Sequence, residues 1–322
     1  MGGTLVKAII TGATGGLGRN LGEFLQEKGW ELLGFGQNRE IGEKLGFPFK
    51  AFDLSNEEAC LDAFETCDVV FHCAALSKPW GSYALFHKNN VQATQNVLTA
   101  MQKHNIPKLV HVSTPSIYFD FTDQLNVKEE HLASVFVNAY AKTKHEAETL
   151  VLASSIDTTI IRPRGIFGEY DTVLVPRLEK IAKKGFLPLL KNKNALIDVT
   201  YVGNVVHAMH LASTKPLPKN SIFNITNDEP IEVNHLFKLV MESLKKDVKY
   251  KEIKYSTLMR IASLLEFISK LGFGKEPALT KYGVGLISYD QTLDIQKAKE
   301  ILGYKPLYSI KEGLERYAKS RN

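Results

Sequence analysis

The sequence predicts an α/β protein: a doubly wound parallel sheet with a smaller, mainly helical C-terminal lobe. Three observations carry this reading. Ile10-Thr11-Gly12-Ala13-Thr14-Gly15-Gly16-Leu17-Gly18 follows an apolar run from Leu5 and precedes a helical stretch, Leu17 to Lys28. Apolar runs and helical stretches then alternate to about residue 165, the pattern of βαβ units. Beyond that point the alternation weakens and helical segments dominate. With 322 residues the chain can hold one large domain or two unequal ones.

The elements follow in order. Strand, tight glycine turn and helix form the context of a dinucleotide-binding fingerprint. Gly12 permits the turn, Gly15 lets the backbone approach a pyrophosphate, and Gly18 lets helix and strand pack closely. The helix start offers unpaired N–H groups to phosphates. By itself the match is weak, because other α/β proteins carry glycine-rich turns. Gly29 to Gly36 reads as the second strand, ending in Gly36-Gln37-Asn38-Arg39. An acidic residue there would accept both ribose hydroxyls. Gly36 carries no charge, and Arg39 can pair with a phosphate, which favours NADP over NAD. The plainer alternative is a surface arginine. Pro48 to Phe52 is a short strand closed by Asp53-Leu54. Asp53 can reach the adenine edge or cap the next helix, with Glu57 and Glu58 in its first turns. Asp68 to Cys73 is the fourth strand, entering Ala74-Ala75, whose small side chains let the backbone pass beside a cofactor. Asn89-Asn90 precedes a helix to about His104. Leu109 to Val112 is the fifth strand, and Ser113-Thr114-Pro115 sits at its C-terminal end, where ligands gather in open sheets. A helix over 139–153 puts Tyr140, Lys144 and Glu148 on one face. Ser155 to Arg162 is the sixth strand, ended by Pro163.

The second half reads less regularly. Residues 167–192 suggest a loop, a helix over about 175–184 and another loop. Ala195 to Val202 reads as a strand, Gly203 to Ala212 as a helix, and Ser221 to Thr226 as a strand. Residues 231–286 look mostly helical, with an apolar section over 258–271. That section suits a packed helix of the lobe, an apolar lid over a greasy substrate, or an interfacial helix. Residues 289–319 hold a turn, Gly303-Tyr304-Lys305-Pro306, between two short helices. We therefore expect a dinucleotide-binding domain over 1–166, with 193–226 returning to it. Residues 167–192 and 227–288 would form a substrate lobe, and 289–322 a C-terminal segment.

Composition excludes several classes. Hydrophobic residues make up 44% and charged residues 23% of the chain, with a net charge of +5, all ordinary for a globular protein. The charge permits an anionic cofactor without demanding nucleic acid or a membrane surface. The lysines at 183, 184, 191, 193, 245, 246 and 249 form short runs best explained as solvated faces. Cys60, Cys67 and Cys73 are too few and too clustered for a disulfide scaffold, and suit reduced thiols of a cytoplasmic protein. No signal peptide precedes the strand opening at Thr4-Leu5, no apolar run is long enough to span a membrane, and no zinc-type spacing appears, so no metal is expected.

One constellation carries chemistry. Tyr140 and Lys144 lie four apart on a helix, hence roughly 5–6 Å apart at Cβ. A free tyrosine, with a pKa of about 10, is a poor base at neutral pH, and a nearby ammonium lowers that value. Thr114 supplies a hydroxyl to polarise a carbonyl or alcohol. Together they make a proton relay beside a hydride carrier.

The chain resembles the extended short-chain dehydrogenase/reductases of the NAD(P)-dependent epimerase/dehydratase superfamily, over nearly its whole length. The matching segments are TGATGGLG at 11–18, DL at 53–54, HCAAL at 72–76, NNVQATQNVL at 89–98, VSTPSIY at 112–118, YAKTK at 140–144, RPRGIFG at 162–168, DVTYVGNVVHAM at 198–209 and YDQTLDIQKAKEILGYKP at 289–306. The resemblance implies a Rossmann fold. It implies Tyr140 as acid/base, Lys144 as the ribose-binding residue that tunes it, and Thr114 as the residue orienting substrate. It also implies a cofactor site of Gly12, Thr14, Gly15, Gly16, Leu17, Gly18, Arg39, Asp53, Leu54, Ala74, Ala75, Asn90, Tyr140 and Lys144, with Pro163, Gly165 and Ile166 toward the nicotinamide. A homodimer through helices 91–104 and 139–153 is a further implication.

Departures from the family pattern shape the substrate expectation. Dehydratases carry an Asp-Glu pair after the catalytic threonine, and here Pro115 and Ser116 stand there. No clear diphosphate-gripping arginine follows Leu196 to Tyr201. Arg177 could hold an acidic group or be a surface residue. STPSIYF, PRGIFG and DTVLVPRL look most like the 3β-hydroxysteroid dehydrogenase-like branch, which includes reductases of long-chain 2-alkyl-3-oxoalkanoic acids. The leading expectation is an NAD(P)-dependent oxidoreductase acting on a small apolar or amphipathic alcohol or ketone. A nucleotide-sugar 4-epimerase with retained NAD, and a cofactor-binding regulatory protein without turnover, are the alternatives.

Overall fold

The computed structural model describes residues 5–183, 185–271 and 276–321. Thr4, where the first strand was expected to open, and Lys184, at the end of the helix expected over 175–184, lie outside them. Seven strands form one parallel sheet: β1 (Lys7–Thr11), β2 (Glu31–Gly36), β3 (Phe49–Ala51), β4 (Val69–His72), β5 (Lys108–Val112), β6 (Asp157–Pro163) and β7 (Ser221–Ile225). Their order is β7-β6-β5-β4-β1-β2-β3. Buried on both faces, the central strands read as near-continuous apolar runs, such as KAIIT and VVFH. One face is covered by α1 (Gly16–Glu27) and a later helix, Val202–Thr214, whose Leu21, Leu25, Val205 and Met209 share a core with Ile10, Phe71 and Phe223. The other face is covered by α2 (Ala93–Lys103) and α3 (Ala139–Ala153), whose Val97, Met101 and Val151 pack with Ile9, Val70 and Ile160. A separate core joins Val175, Leu178, Leu187, Leu236, Val240, Leu258 and Leu314.

Four local expectations are corrected. Asn89-Asn90 does not precede a helix but lies within one: Tyr83–Phe86, the π-turn His87–Gln92 and α2 run on without a break. The bulge turns Asn90 inward, where it is 2% exposed, as π-bulges commonly re-aim a side chain. The expected strand Ala195 to Val202 is two short strands, Leu196–Ile197 and Thr200–Tyr201, in different small sheets. Between them Asp198 turns in to accept the Leu293 N–H at 2.7 Å. The expected loop after the helix Leu174–Ala182 contains a strand, Phe186–Lys191, and the expected helical stretch contains another, Lys249–Lys254. They pair in parallel along their whole length. KYKEIK buries nothing fully, so no apolar alternation marks it. Cys60, Cys67 and Cys73 are free thiols. Burial pushes each up to about 12, which keeps them inert.

Candidate active site

The strand order turns back at β1 and β4, the crevice position where open α/β sheets hold ligands. A cavity of about 460 Å³ opens there. Gly12, Gly15, Gly16, Leu17 and Gly18 line it beyond β1, and Cys73 and Ala75 beyond β4. Ser113 and Thr114 line it beyond β5, Pro163 to Gly168 beyond β6, and Tyr140 and Lys144 come from α3. The glycine cradle is sterically required. Gly12 has φ +70, and a Cβ on it would lie 2.8 Å from the Ala74 backbone; one on Gly18 would lie 2.3 Å from the Gly12 oxygen. Gly15 is the N-cap of α1 and provides no side-chain cap, so the first N–H groups of the helix face the cavity with the positive end of its dipole. This cradle fits a dinucleotide pyrophosphate.

Other residues expected at the cofactor are not among those lining this cavity. Thr14 faces β2, where a Cβ on Gly36 would meet its hydroxyl at 2.8 Å. Gly36 is therefore demanded by packing as well as being uncharged. Arg39 is exposed at the start of the turn Arg39–Gly42. Asp53 accepts Ser55 N–H and Oγ at 3.0 and 2.8 Å and pairs with Lys88 at 3.2 Å. These contacts hold its carboxyl below the usual range against the opposing effect of burial, the largest single influence. Asn56, not Asp53, caps the helix Glu57–Ala63. Leu54 is buried, and its carbonyl accepts from Asn96 at 2.9 Å. Ala74 donates its N–H to Thr11 Oγ1 at 3.3 Å. Asn90 accepts the Leu76 N–H at 2.7 Å and donates to Thr143 Oγ1 at 3.1 Å. It fixes the loop after β4 onto α3.

Tyr140 and Thr114 line the same cavity, and a chain of hydroxyl groups runs on from Thr114. Thr114 Oγ1 donates to Ser116 Oγ at 2.9 Å, and Ser116 Oγ lies 2.7 Å from the Tyr282 hydroxyl. Burial pushes the Tyr140 phenol up, outweighing the opposing effect of the Thr114 side chain. The expected ammonium–phenol pairing is not made here. Lys144 Nζ instead donates to the Val112 carbonyl at 2.8 Å and lies 3.3 Å from His111 Nε2. Sheet register explains its floor: Thr11, His72 and His111 are successive partners across β1, β4 and β5. His72 Nδ1 lies 2.7 Å from Thr11 Oγ1. Burial drives His72 down to about 3 and His111 well below the usual imidazole value, so both stay neutral beneath Lys144. Glu148, on the face of Tyr140 and Lys144, is consumed by Arg162, whose Nε and Nη2 reach its two oxygens at 2.8 and 2.5 Å.

Sequence reasoning missed Tyr282, His111 and Arg164. Arg164 is 8% exposed, and its Nε and Nη2 have no hydrogen-bond partner. No sequence signal separates it from Arg162, because only the fold shows that Glu148 serves Arg162 alone. Arg177 lines the cavity mouth but is exposed and paired with Glu276 at 3.0 Å. A second cavity, about 990 Å³, shares Pro79 and Tyr282 with the first and is walled by Trp80, Phe86, Phe121, Tyr255, Met259 and Tyr289. Its lobe side is the helix Tyr255–Leu271. Leu258, Ala262, Glu266 and Ser269 are its buried positions, while Ile261, Leu264, Phe267, Ile268 and Leu271 are exposed. The helix over 258–271 thus packs on the lobe core through Leu258 and Ala262 and keeps an apolar outer face. Among the described residues no helix is long and apolar enough to cross a membrane, and no cluster of three His, Cys, Asp or Glu could hold a metal.

The model of the NAD dependent epimerase/dehydratase family matches residues 8–226. The chain belongs to that family, and is an NAD(P)-dependent oxidoreductase of the extended short-chain type. Among its relatives it is 35% identical to the uncharacterized protein YbjS of Escherichia coli, covering 97% of each chain. It is 33% identical to a 2-alkyl-3-oxoalkanoate reductase of Stenotrophomonas maltophilia, covering 97% of this chain and 98% of that one. It is 30% identical to the decarboxylating sterol-4-alpha-carboxylate 3-dehydrogenase of Mus musculus, over 98% and 90%. The UDP-glucuronic acid 4-epimerase of Bacillus cereus, solved with NAD, shares the fold at TM-score 0.75 and 20% identity, over 98% of both chains.

Proposed function

We propose that the chain interconverts a ketone and a secondary alcohol on an apolar substrate, 3-oxoacid-like or 3β-hydroxysteroid-like, with NADP(H) or NAD(H). One observation carries this: Tyr140 and Thr114 line a glycine-edged cavity that shares Pro79 and Tyr282 with an aromatic-walled one. The nicotinamide, when bound, supplies or accepts hydride at the reacting carbon. Tyr140, a neutral phenol in this setting, donates its proton to the carbonyl oxygen in the reducing direction. Thr114 orients the phenol and offers its hydroxyl to the same oxygen as negative charge develops there. Ser116 and Tyr282 hold Thr114 in place. Lys144, anchored on Val112, is the residue to hold the ribose hydroxyls. The relatives named as an oxoalkanoate reductase and a sterol-carboxylate dehydrogenase support this reading. The absence of an acidic pair at Pro115 and Ser116 removes the groups that water elimination needs.

Tyr140→Phe tests it. Turnover of long-chain 3-oxo acids, followed by loss of NADPH absorbance, is expected to fall by roughly 100-fold or more, with NADPH affinity unchanged. Full activity in the variant would sink the mechanism. Turnover of UDP-sugars with tightly retained NAD, and none of oxo acids, would establish the epimerase instead.

A further inference from the structure

We propose that Arg164 is the carboxylate-binding residue of this site, so that the substrate is an apolar acid whose carboxylate lies close to the reacting carbon. The inference deepens the oxidoreductase reading and rests on it for the reaction, though not for binding. Arg162 lies near the end of β6 and Arg164 directly follows the strand, with opposite fates. Arg162 is fully engaged, with Glu148 on two nitrogens and with the Tyr118 hydroxyl and the Glu129 carbonyl on Nη1 at 2.6 and 2.7 Å. Arg164 is equally buried, borders the cavity, and leaves Nε and Nη2 without partners. Among the described residues no carboxylate lies within 4.0 Å of its nitrogens. The nearest acidic influence is Asp198, whose carboxylate is taken by the Leu293 N–H. A guanidinium stays charged in proteins, and a buried charge without a partner is strongly unfavourable. Arg164 is therefore built for an anion that arrives from the cavity, and its planar fork suits a carboxylate.

Position decides which anion. Arg164 follows β6, which β5 and β4 separate from β1. Three strand spacings come to about 14 Å, which sets Arg164 apart from the glycine cradle of the pyrophosphate. It lines the cavity together with Tyr282, Ser116, Thr114 and Tyr140, of which Tyr282, Ser116 and Thr114 are joined by hydroxyl contacts of 2.7 and 2.9 Å. An anion on Arg164 thus shares the cavity with the oxygen that Tyr140 protonates, as a carboxylate near the reacting carbon would. The aromatic cavity beyond Tyr282 receives the tail.

The test is equilibrium binding, which needs no turnover. The NADPH-loaded protein is titrated by calorimetry with decanoate and with decan-1-ol, which share a tail. Decanoate is expected to bind at least about 10-fold more tightly, the value of a charge-assisted contact. Arg164→Gln should bring the two ligands within about two-fold, Arg164→Lys should restore part of the preference, and NADPH affinity should stay within about two-fold throughout. Equal binding of acid and alcohol by the unsubstituted protein, or no binding of either, overturns the proposal. So does a preference that survives Arg164→Gln, or a loss of NADPH affinity that accompanies it, which would make Arg164 a cofactor ligand. Should Arg164→Gln fail to fold, Arg164→Lys and the acid–alcohol comparison decide alone. If Tyr140→Phe retains turnover while the decanoate preference holds, the reaction assignment falls and the carboxylate site stands.

Discussion

Lys144 shows how one residue's chemistry depends on its floor. Its amino group is buried over His111, with a single carbonyl to donate to at 2.8 Å. Burial lowers its pKa from 10.5 to about 8, and Glu148 and Cys73 oppose that shift. The native chain therefore releases this proton more readily than the unfolded one. The burial penalty is fully present below pH 8 and fades as pH rises from there toward 10.5. Function runs the other way, because the charged donor disappears over the same window. NADPH affinity, read by fluorescence titration, is expected to weaken as pH passes 8. Lys144→Met should bind more weakly at neutral pH and lose this alkaline limb. A limb unchanged in the variant would assign it to another group. At the same scale, motif spacing brought Thr114, Tyr140 and Lys144 into view. The expectation that Lys144 lowers the tyrosine's pKa failed because sequence spacing says nothing of the carbonyl at Val112 or the histidines below.

At the scale of elements, the short helix Lys281–Leu286 matters more than its length suggests, since it carries Tyr282 to Ser116. It is tethered by Glu266 of the helix Tyr255–Leu271, which accepts the Lys281 N–H at 2.7 Å and pairs with its Nζ at 3.6 Å. Glu266→Ala removes both contacts and is expected to cost about 1–3 kcal/mol locally. Steady-state kinetics should show a raised KM for the oxo acid with NADPH affinity unchanged. Equal loss of both would mean that the helix supports the whole site. The sequence made Tyr255–Leu271 legible as a helix by its apolar content. Which of its faces is covered was not legible, because Leu258 and Ala262 are buried while Leu264 and Phe267, just as apolar, are exposed. The strands Phe186–Lys191 and Lys249–Lys254 were illegible for the opposite reason. Their partner supplies the ladder, and the second of them supplies no buried apolar alternation to see.

For the molecule as a whole, cofactor and fold are thermodynamically linked. A dinucleotide that binds only the folded chain at 100 times its Kd adds about 2.7 kcal/mol. For a chain of this size that raises Tm by about 4 °C. Comparing NADP+ with NAD+ in one melting series tests the role read for Arg39. The unsubstituted chain is expected to gain more from NADP+, and Arg39→Ala should remove that difference without lowering the melting point of the protein alone, because Arg39 is exposed. Equal shifts from both dinucleotides would show that Arg39 is a surface residue.

The sequence by itself determined the sheet and its glycine cradle. Those signals are local: alternating apolar runs, a glycine turn between strand and helix, and residues one helical turn apart. Tertiary structure alone decided which polar groups go unpartnered. Arg162 and Arg164 are indistinguishable in RPRGIFG, yet the fold brings Glu148 to the first and no carboxylate to the second. It also set Tyr282, remote in the chain, against Ser116. Partnership of this kind depends on which distant segments arrive at a strand end, and no spacing along the chain encodes it.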